Sequence, residues 1–398
     1  MRRRRLRLSA LFFIAFAVMG AWLPVFSRHL QSLRFSPDAT AWASASNAIG
    51  AILAPLIWGQ IADRWLSPPR CISLCALATG VLLLVLAALD GAAAVIAISI
   101  ATWFFLIPLI GLSGAYIFRL LDHPERDYGH IRLWGTVGWV AANWSLTLWF
   151  KLREFSAGYE ADLADSMRLG AIAAFALAFY ALTVPHAPVS AETAEGRKGS
   201  WLARLADAPL AALQLFRLRS FLVYSVTMFG LYVTVPFTVQ LNPLLLGSLD
   251  VGDDVMPAYL TLCQTSEILF LALLPSLLTR FGLKATMAAG GVAWAAGLAM
   301  LSIGTPLLLV LSALPASGVY ICCFVIAGQV FVNRQASVDI RSSAQGLLVL
   351  INGSGFLGAR QRWQDEQGQG NGRADDSFHD NLAFLLRHSP LCCVIVKQ

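Results

Sequence analysis

Glu267 is the residue whose chemistry most needs explaining. It ends the stretch Gln264-Thr265-Ser266-Glu267, inside the apolar run 255–279, and is the only carboxylate within any long uncharged run of the chain. Burying an ionisable side chain at that depth of apolar sequence is costly, and such a group is by default functional. Desolvation raises a carboxyl pKa and a nearby cation lowers it, so the group can take up a proton in one setting and release it in another. The alternative is a structural hydrogen bond between helices, or a static ion pair with Arg132. Gln264 lies three residues earlier on the same helical face. Its amide can donate and accept at once, although the same amide could simply tie two helices together. Arg132, Thr136 and Trp139, spaced i, i+4, i+7, form a second stripe that carries a guanidinium, a hydroxyl and an indole. Here too a bland reading stands: Arg132 as an anchor at a helix end, Trp139 as a lipid-facing ring.

Other chemistries find no residues. The seven cysteines show no paired CxxC spacing and no adjacent histidine ligands, so neither a disulfide framework nor a metal site is expected. Most of them lie in apolar runs, where cysteine acts as a small hydrophobe. No Ser/His/Asp grouping or phosphate-cradling glycine loop stands out, and the six histidines fall in loops, at run edges or in the tail. No catalytic residue, no metal and no cofactor is expected, and the chain reads as something other than an enzyme.

The elements that must position these groups follow from composition. Of 398 residues, 57% are apolar and only 13% charged, with mean hydropathy +0.66. A soluble domain carries about 25% charged residues. That shortage of polar surface excludes a soluble enzyme, a nucleic-acid binder and a disordered chain, and leaves a polytopic membrane protein. The net charge of +6 is spread through short loops, so it marks no nucleic-acid surface.

A membrane-spanning helix needs roughly 20 mostly apolar residues. Runs of that kind occupy 8–27, 39–62, 71–89, 91–118, 133–150, 169–191, 220–249, 255–279 and 342–359. The run 285–333 is too long for one helix and splits at Gly304-Thr305-Pro306, a turn signal. Eleven spans are therefore expected. The basic start Arg2-Arg3-Arg4-Arg5-Leu6-Arg7 precedes the first, which reads as a retained helix because no small-residue cleavage site follows. With the N-terminus inside, 19 of the 29 Lys and Arg fall in inside segments and five in outside loops. This bias predicts a cytoplasmic N-terminus.

The polar stretch 186–219 divides the chain into an N-terminal six-helix half, 1–185, and a C-terminal half, 220–359, with about five helices. Pro55 through Asp63-Arg64-Trp65 is weakly echoed by Pro275 through Arg280-Phe281-Gly282-Leu283-Lys284, at corresponding links of the two halves. Such an echo is the trace of a two-fold repeated transporter. The expected fold is thus all-α, a polytopic membrane transporter of two repeated halves, the first of six helices and the second of about five.

Gly59-Gln60-Ile61-Ala62-Asp63-Arg64 resembles the loop between helices 2 and 3 of the major facilitator superfamily. Ile131-Arg132-Leu133-Trp134-Gly135-Thr136-Val137-Gly138, Gln264-Thr265-Ser266-Glu267, Arg341-Ser342-Ser343-Ala344-Gln345-Gly346 and Ala62-Asp63-Arg64-Trp65-Leu66-Ser67 resemble the bacterial nucleoside/proton symporter family, as does Trp22 with its neighbours. The similarity covers roughly 8–359 and implies an all-α polytopic membrane transporter of two six-helix pseudo-repeat halves, the second of them truncated here. It implies proton-coupled symport of a nucleoside across the inner membrane by alternating access. Arg132, Thr136, Trp139, Gln264 and Glu267 would bind the substrate, Glu267 would also carry the proton, and Gly59, Asp63 and Arg64 would form a gating loop. Trp22, Asn47, Tyr116, Gln240, Asn242 and Tyr320 are further cavity candidates. The implied partners are a nucleoside-like small molecule, protons and the lipid bilayer, with no nucleic acid and a monomeric chain.

Two departures from the family pattern matter. The tenth span reads Tyr320-Ile321-Cys322-Cys323-Phe324-Val325-Ile326-Ala327-Gly328-Gln329, with Cys322 about where members carry a carboxylate, so coupling would fall on Glu267 alone. The seventh, Tyr232-Val233-Thr234-Val235-Pro236-Phe237-Thr238-Val239-Gln240, lacks the amide pair of nucleoside-binding members. In addition, residues 360–398 turn abruptly polar just after Gly353-Ser354-Gly355-Phe356-Leu357-Gly358, which reads as a frameshifted or non-native tail. The alternatives are a carrier of another small solute, such as a sugar or aromatic acid, and an inactive truncated transporter.

Overall fold

The structure, a computed structural model, describes residues 2–64, 66–121, 124–157, 162–184 and 214–335. Every regular element among them is helical, as the composition requires. In chain order these are α1 (Arg2–Trp22), α2 (Phe26–Ser32), α3 (Pro37–Arg64), α4 (Pro68–Leu86), α5 (Ala92–Leu120), α6 (Pro124–Ala157) and α7 (Ala164–Thr183). They continue with α8 (Arg219–Ser248), α9 (Met256–Leu260), α10 (Leu262–Ile303), α11 (Leu307–Ala313), α12 (Pro315–Tyr320) and α13 (Ala327–Gln335). A π-helical turn, Ile321–Ile326, joins the last two. Among the described residues, six helical stretches are long and apolar enough to cross a membrane: Arg4–Ser32, Pro68–Leu86, Ala92–Gly114, Ala164–Thr183, Met256–Ile303 and Leu307–Val332. The other long helices, α3, α6 and α8, run 28, 34 and 30 residues. The expected spans 8–27, 71–89, 91–118 and 169–191 each fall on one of the six stretches.

Breaks fall where the backbone demands them. The 42 residues of α10 are two helical arms joined at Gly282, whose φ of 77° and ψ of 171° only glycine adopts readily. The two apolar runs 255–279 and 285–333 are separated at this point. Gly304, with φ 74°, then ends the second arm just before α11, at the expected turn.

The described helices group into two compact units. Among the described residues, the first holds α1–α7 together with the segment Asp250–Thr261, and the second holds α8 and α10–α13. Asp250–Thr261 joins the first unit although both helices flanking it in sequence belong to the second. It is fixed there by Arg28 Nε, which donates to Asp253 at 2.8 Å, and by Lys151 Nζ, which donates to Asp254 at 2.8 Å. The hydrogen bond to Asp254 raises the Lys151 pKa above the ordinary lysine value. The first core gathers Phe12, Trp22, Phe26, Leu83, Trp103 and Tyr116; the second gathers Phe221, Tyr224, Trp294, Tyr320 and Phe324. The expected run 342–359, the tail 360–398 and most of the link 186–219 lie outside the described residues.

Candidate functional site

In the first unit the stripe on α6 is set by glycines on both sides of its crossing with α1. A Cβ at Gly20 would approach within 2.7 Å of the Trp139 Cα, one at Gly135 within 2.8 Å of the Phe16 ring, and one at Gly138 would collide with the Phe13 carbonyl. Glycines at such crossings let two membrane helices touch along their backbones. That contact fixes the rotation of α6 and therefore the direction of the stripe between the glycines. Arg132 is half-buried, with its guanidinium 4.4 Å from the Phe16 ring centroid, a cation–π distance. Its Nη1 reaches the buried Thr136 hydroxyl at 3.4 Å, too long for a strong hydrogen bond. Trp139 is half-buried one turn further on. The structure thus brings Arg132 and Thr136 together and keeps Trp139 on the same face.

The stripe extends one residue beyond the sequence expectation. Asn143, at i+11 from Arg132, is buried and donates from Nδ2 to the Gly20 carbonyl at 2.9 Å and to the Trp139 carbonyl at 3.0 Å. It ties α6 to α1 one turn beyond Trp139. The same spacing that groups Arg132, Thr136 and Trp139 includes it, and only an asparagine's resemblance to ordinary helix-interface polarity hides it.

In the second unit Glu267 is 6% exposed, on the first arm of α10. Its neighbourhood is unusually close-packed. A Cβ at Gly318 would collide with Ser266 Oγ, the Cys263 carbonyl oxygen and the Glu267 amide nitrogen. Ser266 Oγ donates to the Pro315 carbonyl at 2.7 Å, and Cys322 Sγ donates to the Glu267 carbonyl at 3.2 Å. Gln264 is half-buried on the preceding turn. Nearby in the same unit, Trp294 Nε1 donates to Thr234 Oγ1 at 2.8 Å, and its ring stacks on Tyr320 with centroids 4.8 Å apart. Tyr320 in turn stacks on Phe324 at 5.7 Å, and its buried hydroxyl has no hydrogen-bond partner among the described residues. Trp294 and Thr234 escape sequence reading because a lone tryptophan and a lone threonine in apolar runs carry no spacing signal.

The other candidates are dispersed. Trp22 and Tyr116 are fully buried in the first core, where Trp22 meets Trp103 with centroids 5.6 Å apart. Asn242 is buried and Asn47 half-buried. Gly59, Asp63 and Arg64 continue α3 to its last turn rather than leaving it as a loop, and their side chains, like that of Gln240, lie outside the described residues.

A separate ionic cluster ties the end of α6 to the start of α7. Asp165, 6% exposed, accepts from Trp149 Nε1 at 2.8 Å, from Arg153 at 2.6 Å and from Arg168, which also reaches Asp162 at 2.8 Å. Asp165 sits just ahead of the apolar run of α7, where a sequence reading assigns it to a solvated loop.

A family model described as nucleoside H+ symporter matches residues 2–361 of the chain. Its match ends where the sequence turns polar. The nucleoside permease NupG of Escherichia coli (strain K12) is 28% identical over 376 residues, 89% of this chain and 85% of the relative. The xanthosine permease of the same organism is 28% identical over 375 residues, 88% of this chain and 84% of the relative. Among solved structures, a mutant of the nucleoside transporter NupG superposes with TM-score 0.81 at 25% identity, covering 97% of each chain. A D-xylose–proton symporter shares the fold, with TM-score 0.75 at 14% identity over 99% of this chain and 97% of the other.

Proposed function

Because the chain belongs to the nucleoside H+ symporter family, with the major facilitator fold, we propose that it carries nucleosides inward together with protons across the cell inner membrane, as a monomer with a cytoplasmic N-terminus. Its two halves, 1–185 and 220–359, would rock about the substrate, linked by the cytoplasmic stretch 186–219. Arg132, Thr136 and Trp139 would offer a guanidinium and a hydroxyl to the sugar or base oxygens and an indole face to the base. Gln264 would meet a base edge or the sugar hydroxyls with its amide. Glu267 would take a proton from the outer side and release it inside, and Gly59, Asp63 and Arg64 would close the cytoplasmic end.

The observation that carries this reading, beyond membership of the family, is the burial of Glu267. A carboxylate at 6% exposure in an apolar arm of α10 is stable there when neutral or compensated. Protonation therefore lowers the cost of the substrate-loaded carrier's passage between its two open states. An electrical potential favours each inward-moving positive charge by about 2.3 kcal/mol per 100 mV. The proton then drives accumulation that substrate binding alone cannot.

The test is uptake of radiolabelled uridine and adenosine by cells that lack their own nucleoside carriers and express the full chain. Accumulation that collapses with a protonophore supports the reading. Glu267→Gln is expected to abolish proton-driven accumulation. Unchanged proton-driven accumulation in that variant overturns the role given to Glu267. Competition by unlabelled sugars, but not by nucleosides, would overturn the substrate.

A further inference from the structure

We infer that Cys322 and Gly318 are positioning residues for Glu267: they lock the turn of α10 that carries the carboxyl and so set the conditions under which it exchanges a proton. The inference rests on the reading of Glu267 as the proton-exchanging group.

Three contacts converge on one turn of α10. Gly318 leaves no room for a side chain, because a Cβ there would collide with the Glu267 amide nitrogen and with Ser266. Ser266 donates its hydroxyl across to the Pro315 carbonyl at 2.7 Å, while it also reaches the Cys263 carbonyl within its own helix at 2.8 Å. Cys322, fully buried, donates its thiol to the Glu267 carbonyl at 3.2 Å. The amide and the carbonyl of Glu267 are therefore both touched by the stretch 315–322. The carboxyl cannot change direction by sliding its helical turn unless these contacts yield.

The element that supplies Cys322 is itself unusual. Ile321–Ile326 is π-helical, a rare wide turn that is frequently found at functional sites. It packs against the second arm of α10 as well. A Cβ at Gly290 would come within 2.9 Å of the Phe324 amide nitrogen and 3.0 Å of the Cys323 Cβ. The wide turn thus touches α10 at Gly290 on one side of the Gly282 break and at Glu267 on the other. A proton gained or lost at Glu267 and a shift of the π turn are mechanically coupled through the Cys322 thiol, in both directions.

The test compares Cys322→Ala, which removes the donor, with Cys322→Ser, which keeps one, in full-length chain whose membrane abundance is measured for each variant. The pH dependence of proton-driven nucleoside accumulation is read beside proton-independent exchange. Cys322→Ala is expected to move the pH of half-maximal accumulation by about half a unit or more, which near that pH lowers the rate of proton-driven accumulation about threefold, since one pKa unit is a tenfold change. Exchange should keep its KM within about threefold. Cys322→Ser is expected to restore the parent profile. Where Cys322→Ala does not reach the membrane, Cys322→Val takes its place, filling the volume without a donor. A parent-like pH profile in the donor-free variant, or equal loss of accumulation and exchange without a change in pH profile, overturns the inference. Glu267→Gln, run in parallel, separates the two failures. If that variant keeps pH-dependent accumulation, the assignment of the proton to Glu267 has failed, and the positioning role falls with it. If it loses accumulation while the donor-free variant matches the parent, only the positioning role has failed.

Discussion

At the scale of the residue, the stripe on α6 separates two readings of one arginine. As a bare charge at a helix end, Arg132 would be replaceable by lysine. As a planar group stacked 4.4 Å from the Phe16 ring centroid and aimed along the stripe, it would not, because lysine keeps the charge and loses the flat, forked donor set. Arg132→Lys is therefore expected to raise the KM for nucleoside uptake about tenfold, a loss near 1.4 kcal/mol, with abundance and thermal stability little changed. Parent-like uptake would return Arg132 to the role of an anchor. Asn143 makes the opposite kind of prediction. Its amide donates to two backbone carbonyls in a buried helix crossing, so Asn143→Ala should cost about 1–2 kcal/mol and lower the melting temperature in detergent. The burial of Glu267 and the half-buried setting of Arg132 are legible in the sequence because charge in apolar surroundings is conspicuous. Asn143 is not, because its role depends on the carbonyl of Gly20, 123 positions away.

At the scale of the element, the sequence marks where apolar runs begin and end but not how the helices continue between them. Gly282 is an example: polar neighbours suggest a link, yet the helix resumes across one residue in a conformation nearly confined to glycine. A methyl group at Gly282 would meet nothing within 4 Å, so the cost of Gly282→Ala arises from the backbone alone, about 1–3 kcal/mol. Gly291 supplies the control, since a methyl there also meets nothing within 4 Å but the residue is helical. Gly291→Ala should be neutral or stabilise by about 1 kcal/mol. Similar losses in both variants by thermal unfolding would refute the backbone account. The Asp165 cluster is the second feature the runs conceal. One nearly buried carboxylate satisfies an indole and two guanidinium groups. Asp165→Asn removes a counter-charge shared by Arg153 and Arg168, although Arg168 keeps Asp162, and it should destabilise the α6–α7 end by about 1–2 kcal/mol, discounted because both arginines are partly exposed. Thermal unfolding at low and high salt checks this, with the parent more salt-sensitive than the variant. The π turn at Ile321–Ile326 has no sequence signature at all; its residues are as apolar as any helix, and its packing beside Gly290 and against the Glu267 carbonyl is visible only in the structure.

At the scale of the whole molecule, orientation follows from charge and not from packing. Helical units with apolar exteriors would fit the bilayer either way up. What breaks the symmetry is the distribution of Lys and Arg, 19 in the segments placed inside against five in the loops placed outside, once the tail is set apart. Basic segments resist transfer across the membrane during insertion, and the bias counts most in short loops such as these. The segment Arg197-Lys198, in the long polar stretch, should therefore face the cytoplasm, and the turn near Asp162, between α6 and α7, the opposite side. Reporter fusions ending at 198 and at 160 put this to the test: an enzyme active only in the cytoplasm should work in the first, and one active only outside it in the second. The first-half charge count also predicts how the pattern fails. Replacing Arg2, Arg3, Arg4, Arg5 and Arg7 by glutamine removes five of the 19 inside charges at the helix that inserts first. The remaining bias, 14 against five, still favours the same orientation, so the fusion at 198 should keep most of its cytoplasmic activity. Loss of that activity with the neutral N-terminus would mean that the first helix alone sets the topology, and that the later charges follow it without contributing.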